Sequence, residues 1–152
     1  MRMRFFAAGA IVAALIVGAR AEVCPNITNE LVKVDAGNDE WTEATKLKAG
    51  DVIMVVATGR VQFPKMITKA TTDAKGYSLD KSGGLEMKFG AGEVIKTGDR
   101  WVGAARAPGT VKFRVIGAGR GGGHDSMVGG YSVRVVVLPA GTLPPTVNIE
   151  AE

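Results

Sequence analysis

The sequence predicts an all-β fold, an antiparallel β-sandwich, on the basis of three observations. Apolar and polar side chains alternate with a period of two in several short stretches, which is the spacing of a strand with one buried face. Turn-forming pairs such as Gly50-Asp51, Gly98-Asp99 and Pro108-Gly109 separate these stretches. After residue 21, no stretch sustains the i, i+3, i+4, i+7 apolar spacing of an amphipathic helix. Roughly seven to nine short strands in such an arrangement are typical of a sandwich rather than of a parallel α/β sheet.

Five strands follow from this pattern in chain order. The first is expected at Leu31–Asp35. The continuously apolar Val52–Ala57 predicts a central strand that is covered on both faces. Leu85–Phe89 and Val111–Val115 each place apolar side chains on one face and charged side chains on the other. Tyr131–Leu138 begins with the same alternation and ends as an apolar run, so the pattern predicts the last strand there.

Two stretches interrupt the strand pattern. Residues 64–84 form a long polar insertion, and loops of this length in compact domains are usually functional or mobile. Residues 139–152 are expected to be an extended tail, in which Thr146–Ile149 has the composition of a last edge strand. We therefore expect one sandwich domain over residues 31–138 and no second domain.

The N-terminus predicts export. Two arginines among the first four residues, an apolar run over residues 5–17 and the cleavage sequence Ala19-Arg20-Ala21 are the parts of a secretory signal peptide. The apolar run is shorter than the roughly 20 residues that a membrane span needs. Residues 1–21 are thus expected to be the signal and residues 22–30 an N-terminal arm, which places the mature protein outside the cytoplasm, in the periplasm or the medium. Cys24 is the only cysteine, so an internal disulfide is excluded.

Charge and composition exclude several classes of protein. The chain has 19 basic and 15 acidic side chains, but three of the arginines belong to the predicted signal, which leaves a balance of 16 to 15. Nucleic-acid binding requires a concentrated basic patch, and the remaining basic residues instead alternate with apolar ones. We therefore expect no nucleic-acid partner and no membrane span.

The residues that could support catalysis do not form a recognisable catalytic set. His124 is the only histidine, and the adjacent Asp125 and Ser126 would point away from it in a strand or loop, whereas a triad requires them to converge. No pair of carboxylates is brought together by the pattern as glycoside hydrolysis would require. The sequence therefore predicts that the protein is not an enzyme and that His124 is an exposed loop residue.

One motif resembles a dinucleotide-binding fingerprint. Residues 117–122 read Gly-Ala-Gly-Arg-Gly-Gly directly after a predicted strand. The fingerprint requires a helix to follow, because the helix N-terminus holds the pyrophosphate. Further glycines and another strand follow here instead. We interpret the motif as a glycine-rich hairpin loop.

Four segments in order carry a family resemblance: residues 47–59, 84–90, 109–113 and 129–133. Together they resemble the LecA-type galactose-binding lectin domain over about residues 41–138. The resemblance implies a jelly-roll, galactose-binding-domain-like sandwich, an exported bacterial protein and a non-enzymatic, carbohydrate-binding function. It also places Trp41 at a core position of the family.

In that family a calcium ion held between two loops binds sugar hydroxyls. The resemblance places its carbonyl ligand at Phe63, its aspartate at Gly117 and its two asparagines at Ser126 and Met127. Gly117 has no side chain, and a methionine thioether is a poor calcium ligand. We therefore expect a degenerate calcium site and no cofactor, unless the loop is rearranged so that Asp125 substitutes.

The residues left as candidates for ligand binding lie in two loops, 64–84 and 117–130, and, for Trp101, beside the turn at residues 98–100. Tyr77 and Trp101 have the aromatic rings on which sugars stack, and Asp80, His124 and Asp125 have the polar groups that bind hydroxyls. Two hypotheses remain open at this point. The first is a carbohydrate-binding module. The second is an extracytoplasmic structural or assembly protein, with homo-oligomerisation possible, that binds another protein through its sheet edges or terminal arms.

Overall fold

The computed structural model describes residues 26–64, 70–77, 81–117 and 123–142, which form nine β-strands and one 3₁₀ turn. The predicted signal peptide, Cys24, Asp80 and the predicted edge strand Thr146–Ile149 lie outside these residues. The strands are β1 (Thr28–Asp35), β2 (Thr42–Leu47), β3 (Val52–Gln62), β4 (Thr71–Thr72), β5 (Leu85–Phe89), β6 (Val94–Lys96), β7 (Arg100–Ala104), β8 (Gly109–Val115) and β9 (Val128–Leu138). The 3₁₀ turn is His124–Ser126.

The strands form two antiparallel sheets that pack face to face, which confirms the predicted jelly-roll β-sandwich. One sheet has five strands in the order β1-β9-β3, with β7 and β4 sharing the outer edge of β3. The other has four strands in the order β2-β8-β5-β6. Because the chain passes repeatedly from one sheet to the other, the loops gather at the two ends of the sandwich.

The core consists of the inward-facing side chains of both sheets. In the five-stranded sheet, the register pairs Val55 with Val135 across β3 and β9. In the four-stranded sheet, Met87 lies opposite Phe113 across β5 and β8. All four side chains have at most 1% exposure, so the period-two alternation of the sequence is the pattern of core burial.

The outer face of the five-stranded sheet is apolar along β3. Met54 and Val56 are 41% and 39% exposed, so the expectation that Val52–Ala57 is covered on both faces is wrong. Met54 lies opposite Val136 of β9 on one side and Val102 of β7 on the other, and Val102 is 63% exposed. One face of this continuous apolar run therefore packs in the core. The other face forms a row of exposed apolar side chains.

Several elements differ in extent from the sequence pattern. β1 begins three residues earlier than expected, at Thr28, and β3 continues five residues beyond Ala57, to Gln62. The insertion 64–84 contains a two-residue strand, β4, which pairs with the last residues of β3. The pattern also did not identify β2, β6 and β7. Of these, β6 and β7 are short and carry exposed residues at alternate positions.

The ends of β1, β3 and β8 and the starts of β5 and β9 lie at the same end of the sandwich, which we call the loop end. It comprises residues 36–41, 63–64, 70–77, 81–84, 97–99, 116–117 and 123–127 of the described chain. The opposite end carries the turns at residues 48–51, 90–93, 105–108 and 139–142. Within the described residues, no helix has the length and apolar character needed to cross a membrane.

Candidate functional site

The loop end is tied to the core by hydrogen bonds around Gly83. Its amide donates to the carbonyl of Ile116 at 2.8 Å, and its carbonyl accepts from the Tyr131 hydroxyl at 2.5 Å. A β-carbon at Gly83 would lie 2.6 Å from a Thr72 methyl and 2.9 Å from the Phe63 ring, so a glycine is required for this approach. The insertion 64–84 is therefore tied to β9 at Gly83.

Tyr131 is the buried anchor of this arrangement. Its side chain is 2% exposed, and its hydroxyl reaches a backbone carbonyl 48 residues away in sequence. Burial, with a smaller contribution from the charge of Asp73, raises the pKa of Tyr131 well above its usual value. The hydroxyl is thus held protonated and donates its hydrogen bond to Gly83.

His124 covers the backbone at Gly117, where the family resemblance places the calcium-binding aspartate. A β-carbon at Gly117 would lie 3.1 Å from His124 Nε2. That nitrogen lies 3.0 Å from Asp39 Oδ1, and Nδ1 lies 3.1 Å from the Ala36 carbonyl oxygen. The two ring nitrogens thus face two acceptor oxygens, which fixes the orientation of the imidazole. The imidazole therefore occupies the space that an acidic side chain at Gly117 would need.

An ion-pair network connects His124 to the four-stranded sheet. Asp39 also accepts from Arg114 Nη1 at 3.2 Å. The same guanidinium donates to Glu86 Oε1 through Nε at 3.0 Å and Nη2 at 2.8 Å. The Glu86 side chain is only 10% exposed, so its charge depends on Arg114 for compensation.

Trp41 lies on the outer face of the four-stranded sheet rather than in the core. Its ring is approached by Lys88 Nζ at 4.3 Å and by Arg114 Cζ at 4.5 Å, both within cation–π range. Farther along this face, Lys112 pairs with Glu43, and this hydrogen bond and charge lower the pKa of Glu43. Trp41 is half-buried because these long side chains cover it.

The side chains of Phe63, Ser126 and Met127, at positions that the resemblance assigns to calcium, make other contacts. The Phe63 ring and the Met127 side chain are buried in the core, with 3% and 2% exposure. The Ser126 hydroxyl donates to the Gly123 carbonyl at 3.1 Å, and Gly117 is covered by His124 as described above. Over the part of the chain that the structure describes, no cluster of three or more histidine, cysteine, aspartate or glutamate side chains could hold a metal.

Three of the predicted ligand contacts, Tyr77, Trp101 and His124, have described side chains, and these three contact different neighbours. Tyr77 packs against Phe63, with ring centroids 5.3 Å apart, and its hydroxyl is buried without a hydrogen-bond partner among the described residues. Trp101 packs against Phe89 at 5.9 Å and covers Gly103 on β7. The His124 side chain is only 11% exposed and lies in the network above, rather than exposed in its loop. Asp80 lies outside the described residues, and only the backbone of Asp125 is described.

A small cavity of about 260 Å³ opens at the loop end, between the insertion and the β6–β7 turn. Lys75, Lys81 and Lys96 line it together with one acidic residue, Asp99. Lys75 Nζ lies 3.3 Å from Asp99 Oδ2, and both side chains are largely exposed. The remaining lining residues are Ala74, Gly84, Leu85, Thr97, Gly98 and Ile116.

The sequence analysis missed this lysine-lined pocket, which no local motif marks. Its charged residues come from two separate segments, the insertion and the stretch 96–99, and only the pairing of β5 with β6 brings Lys96 to the loop end. One signal was available in the sequence. The insertion and the stretch 96–99 are both rich in lysine and glycine and both lie next to predicted strands.

Comparisons with known proteins support a lectin-like fold. No protein-family model matches this chain, and no curated protein does. A solved structure, the EclA N-terminal domain, described as a PllA-like lectin, is similar to it with a TM-score of 0.55 and 25% sequence identity. The similarity covers 70% of this chain and 94% of that chain. The chain therefore has a lectin-like β-sandwich fold, and lectins are a non-enzymatic class. The narrower LecA-type assignment stays a prediction.

Proposed function

We propose that the protein is an exported, non-enzymatic carbohydrate-binding module that binds sugar at the loop end without calcium. The observation that carries the proposal is the likeness to a PllA-like lectin domain, which extends over 94% of that chain. The export signal predicted from residues 1–21 is consistent with glycans as ligands, since these are abundant outside the cytoplasm.

Calcium independence is proposed from the side chains at the loop end. His124 lies 3.1 Å from where a β-carbon at Gly117 would be, and Met127 faces the core. Calcium affinity depends on the number of carboxylate ligands, and the positions aligned with the family site supply none. Sugar hydroxyls would instead bind to the side chains and backbone groups of the loop end, as in other polar binding sites.

A glycan array with the purified protein tests the proposal. We expect specific glycan binding of equal strength in ~5 mM calcium and in chelator, since weak extracellular calcium sites have dissociation constants of roughly 0.1–1 mM. The absence of any glycan binding would overturn the carbohydrate proposal and favour the alternative, a protein-binding module. Binding that disappears in chelator would overturn calcium independence alone.

A matched pair of charge reversals locates the site. Lys75 lies at the loop end and Lys48 at the opposite end, and both are exposed. We expect Lys75→Glu to weaken glycan binding at least about fivefold, because an added carboxylate repels or displaces ligand at the loop end. Lys48→Glu should leave the affinity unchanged. If Lys48→Glu weakened glycan binding and Lys75→Glu did not, the site would lie at the other end of the sandwich.

A further inference from the structure

The lysine-lined pocket carries a surplus of positive charge. Three ammonium groups and one carboxylate line it. The single ion pair, between Lys75 and Asp99, joins side chains that are 63% and 41% exposed, and exposed pairs of this kind are weak and easily opened. The pocket therefore has the electrostatic character of an anion site.

Lys96 is not neutralised by its cross-strand neighbour. It lies directly opposite Glu86 in the pairing of β5 and β6, but the Glu86 carboxylate accepts two hydrogen bonds from Arg114 at 2.8 and 3.0 Å. Among the described residues, no acidic side chain forms an ion pair with Lys96. Its charge is thus available to a ligand in the pocket.

Lys81 occupies a backbone conformation that disfavours lysine. Its φ is +60°, in the left-handed region that glycine adopts without strain. Its amide donates to the Tyr77 carbonyl and its carbonyl accepts from the Gly84 amide, both at 2.9 Å. These two hydrogen bonds hold Lys81 in this conformation. Non-glycine residues with such backbone strain concentrate at ligand-binding sites, which supports a ligand-binding role for the Lys81 side chain.

We infer that this pocket binds the anionic substituent of an acidic glycan, a carboxylate or a sulfate ester on a sugar ring. The inference rests on the proposed function and specifies its ligand class. The volume of about 260 Å³ lies just below the roughly 300–1,000 Å³ of typical small-molecule pockets, which suits one ring with its substituent. Lysine ammonium groups bind such anions as mobile point charges, without the fixed fork of arginine.

Titration of the purified protein with galactose, galacturonate and galactose 6-sulfate tests the inference. We expect at least one acidic sugar to bind about tenfold or more tightly than galactose, given the two uncompensated charges. The preference should shrink several-fold between about 50 and 500 mM salt, because the site is open to solvent. The two acidic sugars together show whether the pocket prefers carboxylate or sulfate.

The variants Lys81→Gly and Lys96→Gln test the pocket itself. Each should reduce the acid preference about threefold or more, and Lys81→Gly should keep or raise the melting temperature, because glycine relieves the positive φ. Loss of preference in a variant of undiminished stability cannot be attributed to unfolding. Lys48→Gln, at the opposite end of the sandwich, is the matched control and should retain the full preference.

The possible failures are distinguishable. Galactose binding without any preference for the acidic sugars would overturn the inference and leave the proposed function standing. A preference that survives in both Lys81→Gly and Lys96→Gln would also overturn it, since the anion would then bind elsewhere. If the protein binds no sugar in either the titrations or the array, the inference and the proposed function fail together.

Discussion

Replacing Arg114 with methionine should cost about 3 kcal/mol of unfolding free energy, because it leaves the Glu86 carboxylate buried and uncompensated. Arg114 donates two hydrogen bonds to Glu86 Oε1, at 3.0 and 2.8 Å. Breaking a fully buried pair costs roughly 3–5 kcal/mol. The two side chains are 28% and 10% exposed, so solvent reduces this loss to about 2–2.5 kcal/mol, and the lost cation–π contact with Trp41 adds about 0.5–1 kcal/mol.

Urea and thermal unfolding measure this loss, which corresponds to about 12 °C in melting temperature for a domain of this size. Arg134→Met is the matched control, because Arg134 donates to the exposed Asn29 side chain at 3.2 Å and should cost less than about 0.5 kcal/mol. The double variant Glu86→Leu, Arg114→Met should be more stable than Arg114→Met alone, since no charge is left buried. If Arg114→Met costs no more than Arg134→Met, the reasoning is refuted.

Three further predictions concern Tyr131, two glycines and calcium. Tyr131→Phe should lose about 1–2 kcal/mol in urea unfolding, because the Gly83 carbonyl loses its donor; an unchanged urea midpoint would contradict this. Burial raises the pKa of Tyr131 in the folded protein, so as pH rises past ~10 the unfolded chain loses the phenol proton before the folded protein does. The stability of the wild type should therefore fall more steeply above that pH than the stability of Tyr131→Phe. Parallel stability curves between pH 8 and 11 would disprove this linkage. Gly130→Ala should cost about 3 kcal/mol or more, because its β-carbon would lie 2.2 Å from the Val34 carbonyl oxygen. Gly141→Ala should cost only about 1 kcal/mol, because Gly141 has a φ of +81° but no atom lies within 4 Å of where its β-carbon would be. Equal losses in the two variants would show that the backbone moves to relieve the close contact at position 130. Calcium at ~5 mM should leave the melting temperature as it is in chelator, whereas a rise of several degrees would indicate a site rebuilt around Asp125.

The sandwich was predictable because strand alternation is a local property of the sequence. In Val111–Val115 each apolar residue faces the core and each charged residue faces outward, so a short window contains the whole signal. β6 and β7 were not predictable in this way. β6 is a three-residue edge strand, and within the described chain β7 pairs along one side alone, with β3. Their positions depend on the neighbouring strands rather than on their own composition.

The arrangement of the loop end depends on contacts between distant segments. The sequence places Gly117 and His124 only seven residues apart, but the ring is oriented by Ala36 and Asp39, which lie more than 80 residues earlier. Because the register of two sheets determines these contacts, no local pattern indicates that the histidine covers the glycine. The same holds for the lysine-lined pocket. Residue types alone suggested Tyr77 and Trp101 as stacking groups, whereas Tyr77 packs against the buried ring of Phe63 and Trp101 against the half-buried ring of Phe89.

The positions of the two tryptophans make the native protein a source of two separate fluorescence signals. Trp41 lies between two cationic side chains on one outer surface, linked through Arg114 to the loop end. Trp101 packs on an aromatic ring at the margin of the apolar interior. Since the chain has only these two tryptophans, Trp101→Phe would leave a single emitter beside the ion-pair network. Its emission would report events at the loop end without any attached dye.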